Sequence, residues 1–387
     1  MPDTASIRAF LDDRHGDLVS NILPFVRKEI VPLPAVEEDE DARDQAKGIL
    51  TLLGKTGWVD FAVGETPDLR SACLVREALG GASSLADAVF ALQCLGATPI
   101  RLSGSSEMKS TWLPKAVSGE AMMAFAMTEA EAGSDVGAMT TTAVRDGNGY
   151  VINGAKTLIS NAGIADAYVV FASTDPAQGK KGLSAFLVEA SNPGLKFLGP
   201  QVLSAPHPLG EISFDDCHVE ESARLGEEGE GFKIGMATLD RLRTTVAAAS
   251  CGMAERALEE AMSYAEKRTQ FGQTLSRFQM IQDKIASMAT ELTASRLLVY
   301  RAAWEKDTGQ PDTPISSSMA KAFATEAAQR IVDQSLQIHG GRGMLAENIV
   351  ERLYRAVRAL RIYEGTSEVL HLVIANQLFR ARKGAEK

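Results

Sequence analysis

TTTAVRDGNGYVINGAKTLIS, residues Thr140–Ser160, breaks the helical character of this 387-residue chain. Its β-branched residues alternate around Asp146-Gly147-Asn148-Gly149, and such a cluster between two β-rich runs indicates a β-hairpin. Short strand-like runs follow, separated by Gly- and Pro-rich turns: AYVVFAST, LSAFLVEA and GEISFDDCHV. We therefore predict a small β domain over residues 119–228.

The segment before it is typical of helices. In DARDQAKGILTLLGKTG, apolar residues recur at helical spacing, and SSLADAVFALQCLGATPI is apolar nearly all round, as a buried helix is. We predict an N-terminal helical domain over residues 1–118.

After residue 228 the helical period returns in three long apolar stripes, and the linker DTGQPDTP precedes the third. Long antiparallel helices of this kind indicate a four-helix bundle, which we predict over residues 229–387. The expected fold class is α+β, mainly α.

Composition excludes several classes of protein. The net charge of −10 argues against nucleic-acid or anionic-membrane binding. The N-terminus lacks the apolar run of a secretory signal, and we expect no membrane-spanning segment, so the expected location is the cytoplasm. The four cysteines form no CxxC pair and the histidines show no metal spacing, so we expect no metal site.

No P-loop and no GxGxxG turn follows a strand, so a Rossmann nucleotide site is disfavoured. FAMTEAEAGSD could instead hold a flat ligand against its backbone, with Thr128 and Ser134 as hydrogen-bond donors. A polar turn is the alternative interpretation, and composition alone favours it.

Two charged motifs flank the first long helix of the bundle. In LDRLR, Asp240 and Arg243 either pair across one turn or orient a polar ligand tail. In KRTQFGQ, Arg268 lies near Phe271 at the end of the helix. Its planar donors either bind a pyrophosphate, or its charge interacts favourably with the negative end of the helix dipole.

Two further motifs lie nearer the C-terminus. In QIHGGRG, His339 is interpreted as structural, because no Ser, Cys or second His is fixed near it. In RIYEGTSE, Glu364 lies at a glycine-containing break between two helices. A solvated Glu is the usual interpretation, but a partly desolvated carboxylate has a raised pKa and is a stronger base.

Together these motifs resemble the acyl-CoA dehydrogenase flavoprotein family. AFAMTEAEAGSD, YVINGAKTLISNAG, LDRLR, KRTQFGQ, QIHGGRGM and IYEGTSE occur in the order and spacing of that family, across almost the whole chain. The resemblance implies a helical domain, a β-barrel-like domain and a four-helix bundle, with FAD as cofactor, an acyl-CoA substrate and a homotetramer, or in some members a dimer.

The resemblance also implies roles for individual residues. Glu364 matches the catalytic base, and Leu242, which stands where some branches place the base, cannot accept a proton. Asp240 and Arg243 would contact CoA, with Ser134 and Tyr363 also at the substrate. The implied flavin contacts are Thr128, Ser134, Ser160, Thr366 and Glu368, and from a second copy of the chain Arg268, Phe271, Gln279, Gln337 and Gly341.

The implied reaction is α,β-dehydrogenation of an acyl-CoA to the trans-2-enoyl-CoA, with electrons passing to an electron-transfer flavoprotein. Leu158 stands where many members have an aromatic residue near the electron exit, so an oxidase or a reductase of the same fold stays open. Ala130 and Ala356 also differ from the residues common in the family at these positions, but neither difference removes a chemical group that the mechanism requires. A flavin-binding module without dehydrogenation is a third alternative, against which Glu364 and the net charge argue, and a nitroalkane oxidase would carry an aspartate as base.

Overall fold

The computed structural model of the chain describes residues 4–310 and 313–385. The first helices are α1 (Asp13–Phe25), α2 (Asp39–Lys55), α3 (Asp60–Val63), α4 (Leu69–Ala82), α5 (Ser84–Ser103) and α6 (Ser106–Ser118). The strands are β1 (Met123–Ala126), β2 (Thr142–Asp146), β3 (Gly149–Ser160), β4 (Ala167–Ser173), β5 (Leu183–Glu189), β6 (Leu195–Pro200), β7 (Leu209–Glu220) and β8 (Arg224–Leu225). Then follow α7 (Gly231–Lys267), β9 (Thr269–Gln270), β10 (Gln273–Thr274), α8 (Gln279–Asp307), α9 (Thr313–His339), α10 (Ile349–Leu360) and α11 (Ser367–Ala385). This order confirms the predicted α+β, mainly α, fold class.

The chain divides into two compact units. The helical unit comprises the described residues of Met1–Pro34, Asp68–Asp87 and Arg243–Lys387, and the sheet unit comprises Ala35–Pro67 and Ala88–Leu242. The domain bounds drawn along the sequence, 1–118, 119–228 and 229–387, stay a prediction. The linker DTGQPDTP includes residues 311 and 312, which lie outside the described residues.

The sheet unit is built around a mixed sheet with the strand order β6-β7-β3-β2-β4-β5-β8, and β1 pairs with β4 in parallel. The hairpin lies where the sequence predicts it: Asp146 pairs with Gly149, and Gly147 in the connection has φ of 55°. Tyr150, Phe186 and Phe214 are buried in the sheet's apolar core. Alternation along the strands therefore builds this core.

The helical unit is held together by close helix contacts and buried charge. A Cβ added at Gly252 of α7 would lie 2.0 Å from the carbonyl oxygen of Glu77 on α4, so these two helices cross at backbone contact. The Glu77 carboxylate accepts hydrogen bonds from Arg296 Nε at 2.7 Å and from Tyr300 Oη at 2.6 Å, both on α8. Within the C-terminal helices, α9 contacts α8, α10 and α11.

One described helix, Ser84–Ser103 (α5), is long and apolar enough to cross a membrane by length and composition. This corrects the expectation that no segment of the chain is long and apolar enough to span a membrane. However, 72% of its apolar window is buried inside the protein, which is typical of the core helix of a folded domain.

Candidate active site

Glu364 lies in the 361–366 loop between α10 and α11, where the sequence places a break between helices. Its backbone has φ of 53°, and the next residue, Gly365, has φ of 101°. A left-handed conformation is uncommon for a side chain larger than glycine, and it costs on the order of 1 kcal/mol or more. Surrounding contacts must therefore hold Glu364 in place.

Two buried cations supply those contacts. Arg243 of α7 donates from Nε to the carbonyl oxygen of Glu364 at 3.2 Å. Lys321 of α9 donates from Nζ to the carbonyl oxygen of Gly365 at 2.6 Å. Two consecutive peptide groups of the loop are thus fixed from two different helices.

The two ends of the loop are held by an acid of α9. Glu326 of α9 accepts a hydrogen bond from Arg361 Nε at 2.7 Å and another from Ser367 Oγ at 2.6 Å. Thr366 accepts the backbone N–H of Val369 on its Oγ1 at 3.2 Å and so caps α11. The whole loop is therefore anchored at both ends and in the middle.

One oxygen of the Glu364 carboxylate is left without a partner among the described residues. Its Oε2 atom is buried and has no hydrogen bond to any residue that the structure describes. Burial raises the pKa of Glu364 above its usual range, against the opposing charges of Arg76, Arg243 and Lys321. A buried carboxylate with a raised pKa and a free lone pair is suited to take a proton from a bound ligand.

A buried ion pair near Glu364 was not found from the sequence. Arg76 on α4 binds Asp87 on α5 through two hydrogen bonds, Nε to Oδ1 at 2.8 Å and the second terminal nitrogen to Oδ2 at 3.1 Å. Arg76 also donates to Thr245 Oγ1 at 2.9 Å. The two residues are on different helices, so no helical spacing or motif in the chain signals the pair.

Tyr363 and Glu368 flank this region. Tyr363 precedes Glu364 in the loop and is 38% exposed. Glu368 is exposed in the first turn of α11, where an acidic side chain interacts favourably with the positive end of the helix dipole. That Tyr363 contacts the substrate and Glu368 contacts the flavin stays a prediction.

A second feature of the helical unit is a cavity of about 560 Å³. Its lining includes Arg268, Arg342 and the consecutive glycines Gly340 and Gly341. His339 also lines it, stacked on Tyr264 with ring centroids 4.5 Å apart, and its Nδ1 lies 2.8 Å from the Ser335 carbonyl oxygen. Two guanidinium groups beside exposed glycine backbone can bind an anion such as a pyrophosphate.

Three of the five flavin residues expected from a second copy of the chain lie outside this lining. Phe271 is 94% exposed at the tip of the β9–β10 hairpin, with φ of 49°. Gln279 begins α8 and Gln337 lies in the last turn of α9, and both are exposed. The structure thus brings Arg268 and Gly341 to one cavity and places these three at the surface of the described unit.

The sheet unit carries Thr128, Ser134 and Ser160. The carbonyl oxygen of Thr128 accepts the N–H of Thr157 at 3.0 Å, which ties the FAMTEAEAGSD segment to β3. Ser134 is exposed. Ser160 Oγ lies 3.2 Å from His207 Nε2, a pairing that the sequence analysis missed. Burial lowers the pKa of His207 to about 4, so the imidazole is neutral at pH 7.

Leu158 and Asp240, both named from the sequence, also belong to the sheet unit. Leu158 is 53% exposed, with φ of 55°, and its N–H donates to Gln201 Oε1 at 2.8 Å. Asp240 lies on α7, three residues before Arg243, and is partly exposed. Within residues 4–310 and 313–385, no group of three or more His, Cys, Asp and Glu side chains could hold a metal ion.

Comparison with known families gives matches along nearly the whole chain. The model of the acyl-CoA dehydrogenase N-terminal domain matches residues 12–120, that of the middle domain matches residues 124–217, and that of the C-terminal domain matches residues 229–379.

Individual relatives are similar over most or all of their length. The human mitochondrial short-chain specific acyl-CoA dehydrogenase is 39% identical over 381 residues, which cover 96% of this chain and 91% of the human protein. A 3-(aryl)acrylate reductase of Clostridium sporogenes is 38% identical over 379 residues, which cover 96% of this chain and 100% of the reductase. The structure of butyryl-CoA dehydrogenase from Megasphaera elsdenii matches with a TM-score of 0.89 at 34% identity, over 95% of this chain and 99% of that chain.

Proposed function

This chain belongs to the acyl-CoA dehydrogenase family, and from that premise we propose that Glu364 is the base that removes the α proton of its acyl-CoA substrate. The protein is a flavin-dependent oxidoreductase of CH–CH bonds, and its cofactor is FAD. The observation that carries the proposal for Glu364 is its buried Oε2, which has no hydrogen-bond partner among the described residues. An acid held in a strained loop and left free to accept a proton is arranged for chemistry, since neither feature contributes to stability.

The residues present fit FAD. The cavity beside Arg268 and Gly341 offers guanidinium and backbone N–H donors for a pyrophosphate. Phe271, exposed beside it, offers a ring that an adenine can stack on. We assign these residues, with Gln279 and Gln337, to the FAD held by a second copy of the chain. Thr128, Ser134, Ser160, Thr366 and Glu368 are assigned to the flavin end.

The reaction requires few protein groups. Glu364 takes the proton from Cα while a hydride leaves Cβ, and the remaining electron pair forms the Cα–Cβ double bond of the trans-2-enoyl-CoA. Bound FAD supplies the acceptor for that hydride. Asp240 and Arg243 are assigned to orient the CoA part, and Ser134 and Tyr363 to contact the substrate. Burial raises the pKa of Glu364, and the positive charges of Arg76, Arg243 and Lys321 oppose that rise by favouring the ionised carboxylate.

Replacement of Glu364 with Gln tests the proposal, because Gln keeps the shape of the side chain and cannot accept the proton. We expect reduction of the flavin by acyl-CoA, followed anaerobically by loss of its visible absorbance, to slow by about 10²–10⁴-fold with FAD content unchanged. Glu347→Gln, at an exposed position of the helical unit, is the matched control and should react normally. Wild-type rates of flavin reduction in Glu364→Gln would refute the assignment.

The direction of the physiological reaction has a second candidate. The relative from Clostridium sporogenes is named a reductase, and Leu158, 53% exposed, stands where many members have an aromatic side chain near the electron exit. Reduction of an enoyl or acrylate double bond would use the same groups in reverse, with Glu364 returning the proton to Cα. Dye reduction by acyl-CoAs, oxygen consumption, and re-oxidation of the reduced enzyme by enoyl-CoAs and arylacrylates would separate a dehydrogenase, an oxidase and a reductase.

The other properties implied by the family are also proposals for this chain. We assign an electron-transfer flavoprotein as the acceptor, a homotetramer as the assembly and the cytoplasm as the location. Light scattering of the purified holoenzyme measures the assembly. Turnover that depends on added electron-transfer flavoprotein, and not on oxygen, would support the acceptor.

A further inference from the structure

Lys321 is a buried cation that the reaction described above does not explain. It lies in the middle of α9 and is 0% exposed. Lysine is rarely buried without an ionic partner, because removing its charge from water is costly. Among the described residues no carboxylate lies within salt-bridge distance of Lys321, and its side chain donates one hydrogen bond, to the carbonyl oxygen of Gly365. An apolar side chain would serve the packing of α9 better.

The position of that single hydrogen bond is informative. Gly365 follows Glu364, and both residues have positive φ. Lys321 holds the peptide group of Gly365, and Arg243 holds that of Glu364. The orientations of these two peptide groups set the direction in which the Glu364 side chain leaves the backbone. Removing the contact of Lys321 would let the strained loop relax toward more common dihedral angles.

The charged groups around Glu364 also indicate a role for Lys321. The groups that act on Glu364 from the surrounding helices are Arg76 on α4, Asp87 on α5, Arg243 on α7 and Lys321 on α9. Arg76 is matched by Asp87 through two hydrogen bonds, so its charge is largely neutralised. Lys321 has no such match, and burial lowers its pKa to about 8, with the charge of Glu364 opposing that change most strongly. At pH 7 its ammonium is therefore available as a countercharge for an ionised Glu364.

We propose that Lys321 is a positioning residue for the proton abstraction: it holds the Gly365 carbonyl so that the Glu364 carboxylate is correctly aimed, and its ammonium favours the ionised base. The proposal rests on the proposed role of Glu364.

Two substitutions separate the hydrogen bond from the charge. Lys321→Met removes both, and Lys321→Gln keeps an N–H donor without the charge. Lys284→Met is the matched control, because Lys284 also donates to α9, at Gln334, which is 13 residues and so roughly 20 Å along the helix from Lys321. All three variants are compared as FAD-loaded enzymes with a thioester that the wild type oxidises.

The first measurement is the pH profile of kcat/KM. Because the charge of Lys321 lowers the pKa of Glu364, its loss should move the acidic limb to higher pH, by about 1 unit, in both Lys321 variants. Lys321→Met should also lose at least about tenfold in kcat, and Lys321→Gln should recover part of that loss. Lys284→Met should reproduce the wild-type profile.

The second measurement does not depend on turnover. Amide hydrogen exchange in the 361–366 loop should be faster in Lys321→Met than in the wild type, with or without FAD, and unchanged in Lys284→Met. The melting temperature of Lys321→Met should be unchanged or higher, because an apolar side chain replaces a buried charge. A residue with only a structural role would instead lower the melting temperature and leave the pH profile unmoved.

The outcomes distinguish this inference from the assignment of the base. If Glu364→Gln is inactive while Lys321→Met keeps the wild-type pH profile and loop exchange, the role of Lys321 is refuted and that of Glu364 stands. If Glu364→Gln keeps full turnover, the assignment of the base fails, and a role of Lys321 in aiming it fails with it.

Discussion

Replacing Glu129 with Gln should destabilise the protein, and the loss should shrink as the pH rises. Glu129 lies beside the predicted flavin residue Thr128 and forms a buried ion pair with Lys156 Nζ at 2.8 Å, with side-chain exposures of 6% and 0%. Its carboxylate also accepts the N–H groups of Thr140 at 2.6 Å and Thr141 at 3.0 Å. Burial opposes its ionisation, but Lys156 and these donors outweigh that effect and lower the pKa of Glu129 to about 2.

The size of the loss in free energy of unfolding follows from the groups that Glu129→Gln leaves without a partner. The Thr140 and Thr141 N–H groups donate to different oxygens of the carboxylate, and Gln keeps only one oxygen, so one of them loses its acceptor. The larger change is a buried Lys156 ammonium without its countercharge. Removing one partner of a buried ion pair costs about 3–5 kcal/mol near neutral pH. The loss belongs to the sheet unit, where Lys156 also donates to the Met127 carbonyl oxygen at 3.2 Å.

The pH dependence gives the sharper test. Burial lowers the pKa of Lys156 to about 8 from its usual 10.5, and the loss of Glu129 must lower it further. Between the variant's pKa and pH 8, the folded wild type therefore binds one proton that the folded variant does not. The difference in free energy of unfolding should narrow by about 1.4 kcal/mol for each pH unit up to pH 8, and stay constant above it.

Urea unfolding at pH 6, 7, 8 and 9, followed by tryptophan fluorescence, measures this difference, and two of the three tryptophans, Trp58 and Trp112, lie in the sheet unit. Glu131→Gln, exposed in the same segment, is the control and should change little. Glu129→Gln combined with Lys156→Met should recover most of the stability, because no unpaired charge remains. The reasoning is wrong if the gap is equal at pH 6 and pH 8, or if the double variant is as unstable as Glu129→Gln alone.

Three other predictions concern the helix crossing, the imidazole and the cofactor cavity. Gly252→Ala should lower the free energy of unfolding by at least about 1–3 kcal/mol in urea titrations, because its Cβ would lie 2.0 Å from the Glu77 oxygen, whereas Gly16→Ala, with no atom within 4 Å, should not. His207→Gln should flatten the loss of stability on acidification, measured as melting temperature from pH 7 to pH 4. The pKa of His207 is lowered to about 4, so its contribution is complete above about 6.5 and is lost as the pH falls through 4. Arg268→Lys should weaken FAD binding by about tenfold in fluorescence titrations of the apoprotein, because a point charge replaces a planar two-donor group, and unchanged affinity would argue against a pyrophosphate at that cavity.

The order of helices and strands could be predicted from the sequence because its signals are local. The Asp146–Gly149 turn needs one residue with unusual backbone freedom, Gly147 with φ of 55°, and the two strands pair on either side of it. The break at Glu364 is likewise local, since Gly365 tolerates a φ of 101° and Thr366 caps the helix that follows. Such features depend on neighbours within about four residues, which the chain displays directly.

The surroundings of Glu364 could not be predicted in this way. Lys321 reaches Gly365 across 44 residues of chain, and Arg243 reaches Glu364 across 121. Arg76 meets Asp87 between two helices, and Ser160 meets His207 from a separate loop. Each contact depends on how helices cross or how a loop returns to a strand, and no spacing in the chain encodes that. Resemblance to a family indicated which acid to examine. Burial raises the pKa of that acid, and the distant cations Arg243 and Lys321 fix the loop that carries it.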